Sequence, residues 1–437
     1  MRWLFLLGVW IASEALGYYG LRQLRLWRRW MGWLTPLTLG IFLVLWLITA
    51  FLVQTVRGKL ILSEVGGVVF WVWLTLVLVK LVMGLWGVGV GVGRWALRWR
   101  GSRASGFPTE TPPPPEAFPV PQEGIVLTRR QFLVGMAEAT ALLPTGVMGY
   151  ALLRGRYRFE LREVVLSFPH LPESFEGLRL VQISDLHSGS FYFRPERLDP
   201  AWELIERARP DVLCFTGDWV NVYAEELEPF VPALKALSAP LGKWAILGNH
   251  DYGDYARWKS PTDKAHHHEK LLSLIQASGF TLLQDVAIPL ELGGAALYLV
   301  GTGNWGYWNR RQRYGDIERA WAGVPEGAFA ILLTHDPTHW EYRVRGRYPA
   351  ALTLSGHTHG LQMGVYVAGR YWSPAGWLYR YWAGLYAGPT VGVQERPIPT
   401  YLYVNRGLGY IGLPARFGVW PEITVIRLRR GEGREAV

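Results

Sequence analysis

Five short motifs in the second half of this 437-residue chain carry residue types that bind metal ions. They are Asp185-Leu186-His187, Gly217-Asp218, Gly248-Asn249-His250-Asp251, His335 and Gly356-His357-Thr358-His359. Carboxylate, imidazole and amide oxygen together suit borderline divalent ions such as Mn, Fe, Zn or Co. A thiolate-rich zinc site is excluded, because Cys214 is the single cysteine. Asp185 and His187 stand two residues apart at a strand end, so the strand period sends both side chains to one side. His357 and His359 repeat that spacing. A carboxylate bridging two ions holds them ~3.5–4 Å apart, the spacing used for in-line displacement at phosphorus. Gly217, Gly248 and Gly356 stand immediately before candidate ligands, where the backbone has to come close to a metal.

The elements that must position these residues are short and apolar. Leu178–Ile183, Val212–Thr216, Trp244–Leu247, Leu297–Val300, Ala330–Thr334 and Ala351–Leu354 read as strands. They alternate with helical stretches such as Pro195–Arg207 and Glu225–Leu237, the pattern of a layered α/β domain. That domain spans residues 159–437. His335 gains its weight from the strand Ile331-Leu332-Leu333-Thr334 that delivers it. Cys214, inside Val212–Phe215, reads as a buried structural thiol. His266-His267-His268 lies in a polar, lysine-flanked stretch and reads as a solvated helix start or loop, and His339 as structural.

All five motifs, in this order over roughly residues 177–428, resemble the calcineurin-like metallophosphoesterases. The resemblance implies a four-layer α-β-β-α sandwich and metal-dependent hydrolysis of phosphoester bonds, as a phosphodiesterase or phosphomonoesterase, with two divalent ions, either manganese or another of Fe, Zn and Co. Carried over, it assigns one metal to Asp185, His187 and His359, the other to Asn249, His335 and His357, with Asp218 bridging both. It implies attack on phosphorus by hydroxide, with His250 protonating or stabilising the leaving oxygen. Asp251 is then expected to orient the His250 ring. Gly356–Gln362 and Leu402–Pro414 look like the membrane-associated bacterial phosphodiesterase branch, which often carries a twin-arginine segment. Leu361 stands where that branch commonly has a second glycine.

The N-terminal third has a different texture. Apolar stretches at about Leu4–Tyr19, Trp33–Val53 and Val65–Val92 define a transmembrane helical region over residues 1–100, since a bilayer core of ~30 Å needs such runs. The first is short, holds Glu14, and also reads as a cleaved signal peptide. Residues 101–123 form a Pro-rich linker, which favours extended chain over a core. Residues 124–158 hold Arg129-Arg130 and a fourth apolar stretch, about Phe132–Leu153, broken by Glu138 and Pro144. This segment is either a twin-arginine export signal or a transmembrane helix with a basic flank.

Residues 1–153 carry 14 Lys+Arg against 6 Asp+Glu, a net +8, and the remainder 31 against 29, a net +2. A nucleic-acid protein carries its basic patch on the folded domain, so no nucleic-acid partner is expected. Positive charge beside apolar helices instead sets orientation. With the loops Arg22–Arg29 and Arg94–Arg130 inside, four crossings make a multi-pass protein of the cytoplasmic membrane, its catalytic domain on the extracytoplasmic side. The expected partners are the membrane and a phosphorylated small-molecule or lipid substrate.

Tyr371–Tyr386 is dense in Trp and Tyr and reads either as a packed loop or as a flap dipping into lipid. Trp305, Tyr307 and Trp308 are candidates for a substrate wall. Two other functions fit the same residues. One is a lipid-linked UDP-sugar pyrophosphatase of the lipid A type, whose chemistry belongs on the cytoplasmic face. The other is a receptor or transporter-associated domain that only binds a phosphorylated ligand. The complete ligand set with His250 speaks against mere binding, and the apolar stretches lack paired charges for a transport path.

Overall fold

Uninterrupted runs of Val, Ile, Leu and Phe make strands that are buried on both faces, which requires material packed on each side of a sheet. The computed structural model describes residues 146–437 apart from residues 308, 368–369, 394–395, 432–433 and 436–437. Tyr150–Val437 falls within one of two compact units of the chain. The first three apolar stretches, the linker and Arg129-Arg130 lie outside the described residues. Of the fourth stretch only residues 146–153 are described, and they are helical. Among the described residues no helix is long and apolar enough to cross a membrane.

In chain order the first strands are β1 (Glu160–Phe168), β2 (Arg179–Ile183), β3 (Val212–Thr216), β4 (Lys243–Ile246), β5 (Thr281–Leu282), β6 (Val286–Leu292), β7 (Ala295–Gly301), β8 (Ala330–Leu333) and β9 (Ala350–Ser355). There follow β10 (Val365–Val367), β11 (Arg370–Trp372), β12 (Gly384–Ala387), β13 (Val391–Val393), β14 (Arg396–Ile398), β15 (Tyr401–Val404), β16 (Glu422–Arg430) and β17 (Arg434–Glu435). One sheet has the order β17-β1-β16-β2-β3-β4-β5 and the other β12-β15-β9-β8-β7-β6. The strands β2 to β5 run parallel, as do β7, β8, β9 and β15, while β6 and β12 close the second sheet as antiparallel edges.

Side-chain alternation divides each strand between two cores. Leu180, Val212 and Cys214 of the first sheet meet Leu299, Ile331, Leu333, Leu352 and Leu354 of the second in the layer between the sheets. Cys214 is therefore the buried thiol expected from the sequence, and desolvation raises its pKa far above the usual thiol range. Val181, Ile183, Leu213 and Phe215 point the other way, onto helices α1 (Asp199–Ala208), α2 (Val231–Ala236) and α3 (Pro261–Ala277). On the far side of the second sheet, Val300, Leu332 and Val404 pack with Ile317 and Ala320 of α4 (Ile317–Trp321). Helices, sheet, sheet, helices: the α/β expectation is met as a layered pair of mixed sheets.

Prolines shorten the expected helices. Glu225–Leu237 is a tight 3-10 stretch, Ala224–Phe230, followed by α2. Pro229 and Pro232 lack the N–H that a continuous helix needs. The His266–His268 triplet lies within α3, whose start is set by Pro261 and by Ser260 accepting from Asp263 N at 3.1 Å. The solvated reading fails at His267, which faces inward and receives Ala224 N at 3.2 Å.

Candidate metal centre

Every motif residue sits just past the carboxyl end of a parallel strand, the edge where open α/β sheets place their ligands. Asp185 and His187 follow β2, Asp218 follows β3, and Asn249 follows β4 in the first sheet. His335 follows β8, while His357 and His359 follow β9, in the second. The sheets are tied together here by the buried Gln182, whose Nε2 donates to Thr216 Oγ1 at 3.0 Å and to the Ser355 carbonyl at 2.9 Å. The ligand edge is thus a seam that neither sheet could form alone.

The backbone at this seam is unusual. Asp185, His187, Asp218, His357 and His359 all have positive φ, between 44° and 72°, a region costly for residues other than glycine. The strand-period account of Asp185 and His187 therefore does not hold, and neither does that of His357 and His359. Both pairs lie beyond the strand in left-handed turns, and the tight turns converge their side chains. The glycines before them are sterically required. A Cβ on Gly248 would strike the Asp218 carboxylate, and one on Gly356 would strike Ser184 and Asp185.

Two buried groups of donor atoms result. The atoms of Asp185, His187 and His359 lie within 4.8 Å of one another, as do those of Asp218, His335 and His357. The groups touch: Asp218 Oδ2 is 3.2 Å from His335 Nε2 and 3.5 Å from His187 Nε2. The Nε2 atoms of His187 and His359 face each other at 3.0 Å, and His359 Nε2 is 3.3 Å from Asp185 Oδ1. His335 Nδ1 donates to the Thr216 carbonyl at 2.7 Å, which leaves Nε2 as the ligand atom. Asn249 Nδ2 donates to Tyr255 Oη at 2.8 Å, while the buried Asn249 Oδ1 has no protein partner. Converging imidazoles, two carboxylates and a bare amide oxygen fit two divalent cations.

Electrostatics agree. Burial opposes charge on Asp185, yet His359 and His335 hold its carboxyl below the usual range, and His335 and His250 do the same for Asp218. Burial likewise opposes charge on His335, but Asp218 and Asp185 outweigh it and raise its pKa to about 10. In the metal-free protein one proton thus stands where a cation would bind.

The His250 ring is oriented differently from the sequence expectation. Its Nδ1 lies 2.6 Å from the Asn221 carbonyl, and the ring stacks on Tyr255 at 4.2 Å between centroids. Asp251 instead accepts the backbone N–H groups of Asp218 at 2.9 Å, Trp219 at 2.8 Å and Gly248 at 2.8 Å. A fully buried carboxylate satisfies nearby backbone donors before a partly buried ring. Asp251 shapes the Asp218 turn, and Asn221 holds His250. The Asn221 loop is fastened in turn by the buried Glu226, which accepts the N–H groups of Asn221, Val222 and Tyr223.

Three further residues escaped the sequence reading. Tyr379 Oη is 3.2 Å from His357 Nε2. Arg416, fully buried, binds the carbonyls of Arg406, Gly407 and Gly409 and lies 3.1 Å from His359 Nδ1. Tyr255 joins Asn249 to His250. Tyr379 and Arg416 left a signal, the first inside the aromatic Tyr371–Tyr386 stretch and the second just beyond the Leu402–Pro414 motif. Of the suspected wall residues, Trp305 stacks on His339 at 4.8 Å and Trp308 lies outside the described residues.

Fold and site together define a two-sheet α/β domain with two adjoining candidate metal-binding groups, the class of a metal-dependent phosphoesterase. Sequence comparison agrees: the family model for calcineurin-like phosphoesterases matches residues 178–361. The chain is similar to the uncharacterized metallophosphoesterase YkuE of Bacillus subtilis (strain 168), 34% identical over 313 residues, 69% of this chain and 98% of that protein. It is 29% identical over 300 residues to a transmembrane protein with metallophosphoesterase domain of Danio rerio, 66% of this chain and 62% of that one. To the UDP-2,3-diacylglucosamine pyrophosphatase LpxG of Chlamydia muridarum (strain MoPn / Nigg) it is 28% identical over 303 residues, 59% of this chain and 86% of that one. The chain belongs to the calcineurin-like phosphoesterase family and is a phosphoester hydrolase.

Proposed function

We propose that the protein hydrolyses a phosphoester in a membrane-proximal or lipid-linked substrate, outside the cytoplasmic membrane. The convergence of seven donors on one seam carries the reading. Asp185, His187 and His359 would hold one divalent ion and Asn249, His335 and His357 the other, with Asp218 shared. When bound, such ions neutralise phosphoryl oxygens and make a nucleophile of water at neutral pH. The chain's own residues do the rest. Asn221 and Tyr255 fix the His250 ring through Nδ1 and one face, which leaves Nε2 to pass a proton to the leaving oxygen. Asp251 holds the Asp218 turn, and Tyr255 aims the Asn249 amide.

Chelation tests this. Protein stripped of metal should lose hydrolysis of an aryl phosphate, and Mn or a similar ion should restore it. Asp218→Asn should lower kcat/KM by about 10³-fold, since one substitution weakens both ions. Full activity after chelation would remove the two-metal reading. A second reading, cleavage of a lipid-linked nucleotide-sugar pyrophosphate, draws support from the similarity to LpxG. It requires a cytoplasmic domain, so orientation separates the two.

A further inference from the structure

The loop that carries His357 and His359 is continuous with an exposed aromatic surface. Ser373 Oγ donates to the Gly360 carbonyl at 2.7 Å, Thr358 Oγ1 to the Trp382 carbonyl at 2.6 Å, and Tyr379 reaches His357. On the other side of this segment, β10, β11 and the turn Pro374–Trp377 present large apolar side chains to solvent. Trp377 is 76% exposed, and Val365, Val367 and Trp372, on one face of the β10–β11 ribbon, are exposed with Leu378. Trp372 and Trp377 contact each other edge to face at 5.6 Å. Isolated apolar residues on a surface need no explanation, but a contiguous group of this kind marks an interaction site.

The surface is held firmly. Tyr371, whose neighbour Trp372 points outward, accepts from Arg162 Nη2 at 2.9 Å and lies under Arg406 at 4.7 Å. Its chemistry names the partner. Trp and Tyr concentrate where a bilayer meets water, because each has an apolar body and a polar tip. Between His357 and Gln394 the chain has no Asp or Glu, whereas it has Arg370 and Arg380. A segment without acids of its own, with Arg380 exposed near such aromatics, complements anionic lipid. The 145 residues preceding the described part hold the long apolar stretches, which would keep the domain at a membrane.

We propose that residues 365–378 seat in the interface of an anionic bilayer and bring the metal centre to phosphoesters held there. This rests on the phosphoesterase reading only for the substrate; the docking itself does not depend on turnover.

Because the single cysteine is buried, a nitroxide on Trp377→Cys labels one site. The full chain would be reconstituted in nanodiscs of phosphatidylcholine with phosphatidylglycerol, with Glu326→Cys as an exposed reference. The Trp377 label should be accessible to lipid-dissolved oxygen and shielded from an aqueous relaxant, the Glu326 label the reverse. Removing phosphatidylglycerol should weaken the shielding. In the same discs Trp372→Ala/Trp377→Ala should cut hydrolysis of phosphatidic acid by about tenfold or more and leave a water-soluble aryl phosphate within about twofold. An aqueous Trp377 label overturns the docking, whatever the activities. A label shielded from both relaxants overturns it too, by showing protein as the occupant. Equal loss on both substrates would also refute it, because only the bilayer-held substrate should sense the surface.

Discussion

Asp218 and His250 divide the chemistry at the level of single residues. Asp218 lies within reach of both groups of donors, whereas His250 touches the site through its backbone N–H, which donates to Asp218 Oδ1 at 2.9 Å. The ring, held at Nδ1 by the Asn221 carbonyl, keeps Nε2 for substrate. His250→Ala should therefore keep its full metal content and lose about 10²–10⁴-fold in turnover, less for substrates with good leaving groups. Elemental analysis beside kinetics checks this, and loss of an ion would make His250 a ligand. His335 sets the pH dependence. Its pKa in the metal-free protein is about 10, so a cation has to displace a proton. Affinity should rise about tenfold per pH unit between about pH 6 and pH 9, measured by metal titration with zinc or manganese. For the metal-free fold the sign is opposite. A raised pKa stabilises fully below the unfolded value of about 6.5 and its contribution vanishes as pH passes about 10. The metal-free melting temperature should fall across that window, and a flat affinity profile would disprove the competition.

At the scale of elements, the strands deliver residues and the turns after them aim the side chains. Each turn is tight enough that atoms of a neighbouring turn occupy the place of a side chain. Gly356→Ala would press a methyl group on Ser184 and Asp185. It should destabilise the domain by about 1–3 kcal/mol and weaken metal binding. Gly392→Ala, a glycine with open space around it and, like Gly356, no left-handed φ, provides the comparison without crowding. Thermal melts of the two variants test the difference, and equal destabilisation would show that crowding at the metal turn is not the cause.

For the whole molecule the open question with consequences is orientation. Arginine clusters at Arg22–Arg29 and Arg94–Arg130 resist translocation, so with the four crossings expected from the sequence the catalytic domain would lie outside, as proposed. Alkaline phosphatase fused after Val437 should be active. Protease should degrade the domain in intact spheroplasts, a control needed because twin-arginine export carries folded reporters. Protection until lysis would put the domain in the cytoplasm and favour the nucleotide-sugar reading.

The chain's own residues announced the α/β architecture, because doubly buried strands must be apolar runs and the donor motifs follow them directly. Residue type likewise announced metal chemistry: histidines, aspartates and an asparagine at successive strand ends have few other uses. What the linear sequence could not decide was how those residues meet. The ligand pairs converge through left-handed turns that a strand period does not foresee. Asp251 turned to the backbone instead of the His250 ring, since three buried backbone N–H groups around it outweighed its adjacency in sequence. Asn221, Tyr255, Tyr379 and Arg416 come from loops remote from the residues they serve, and only packing the two sheets along one seam brings them together.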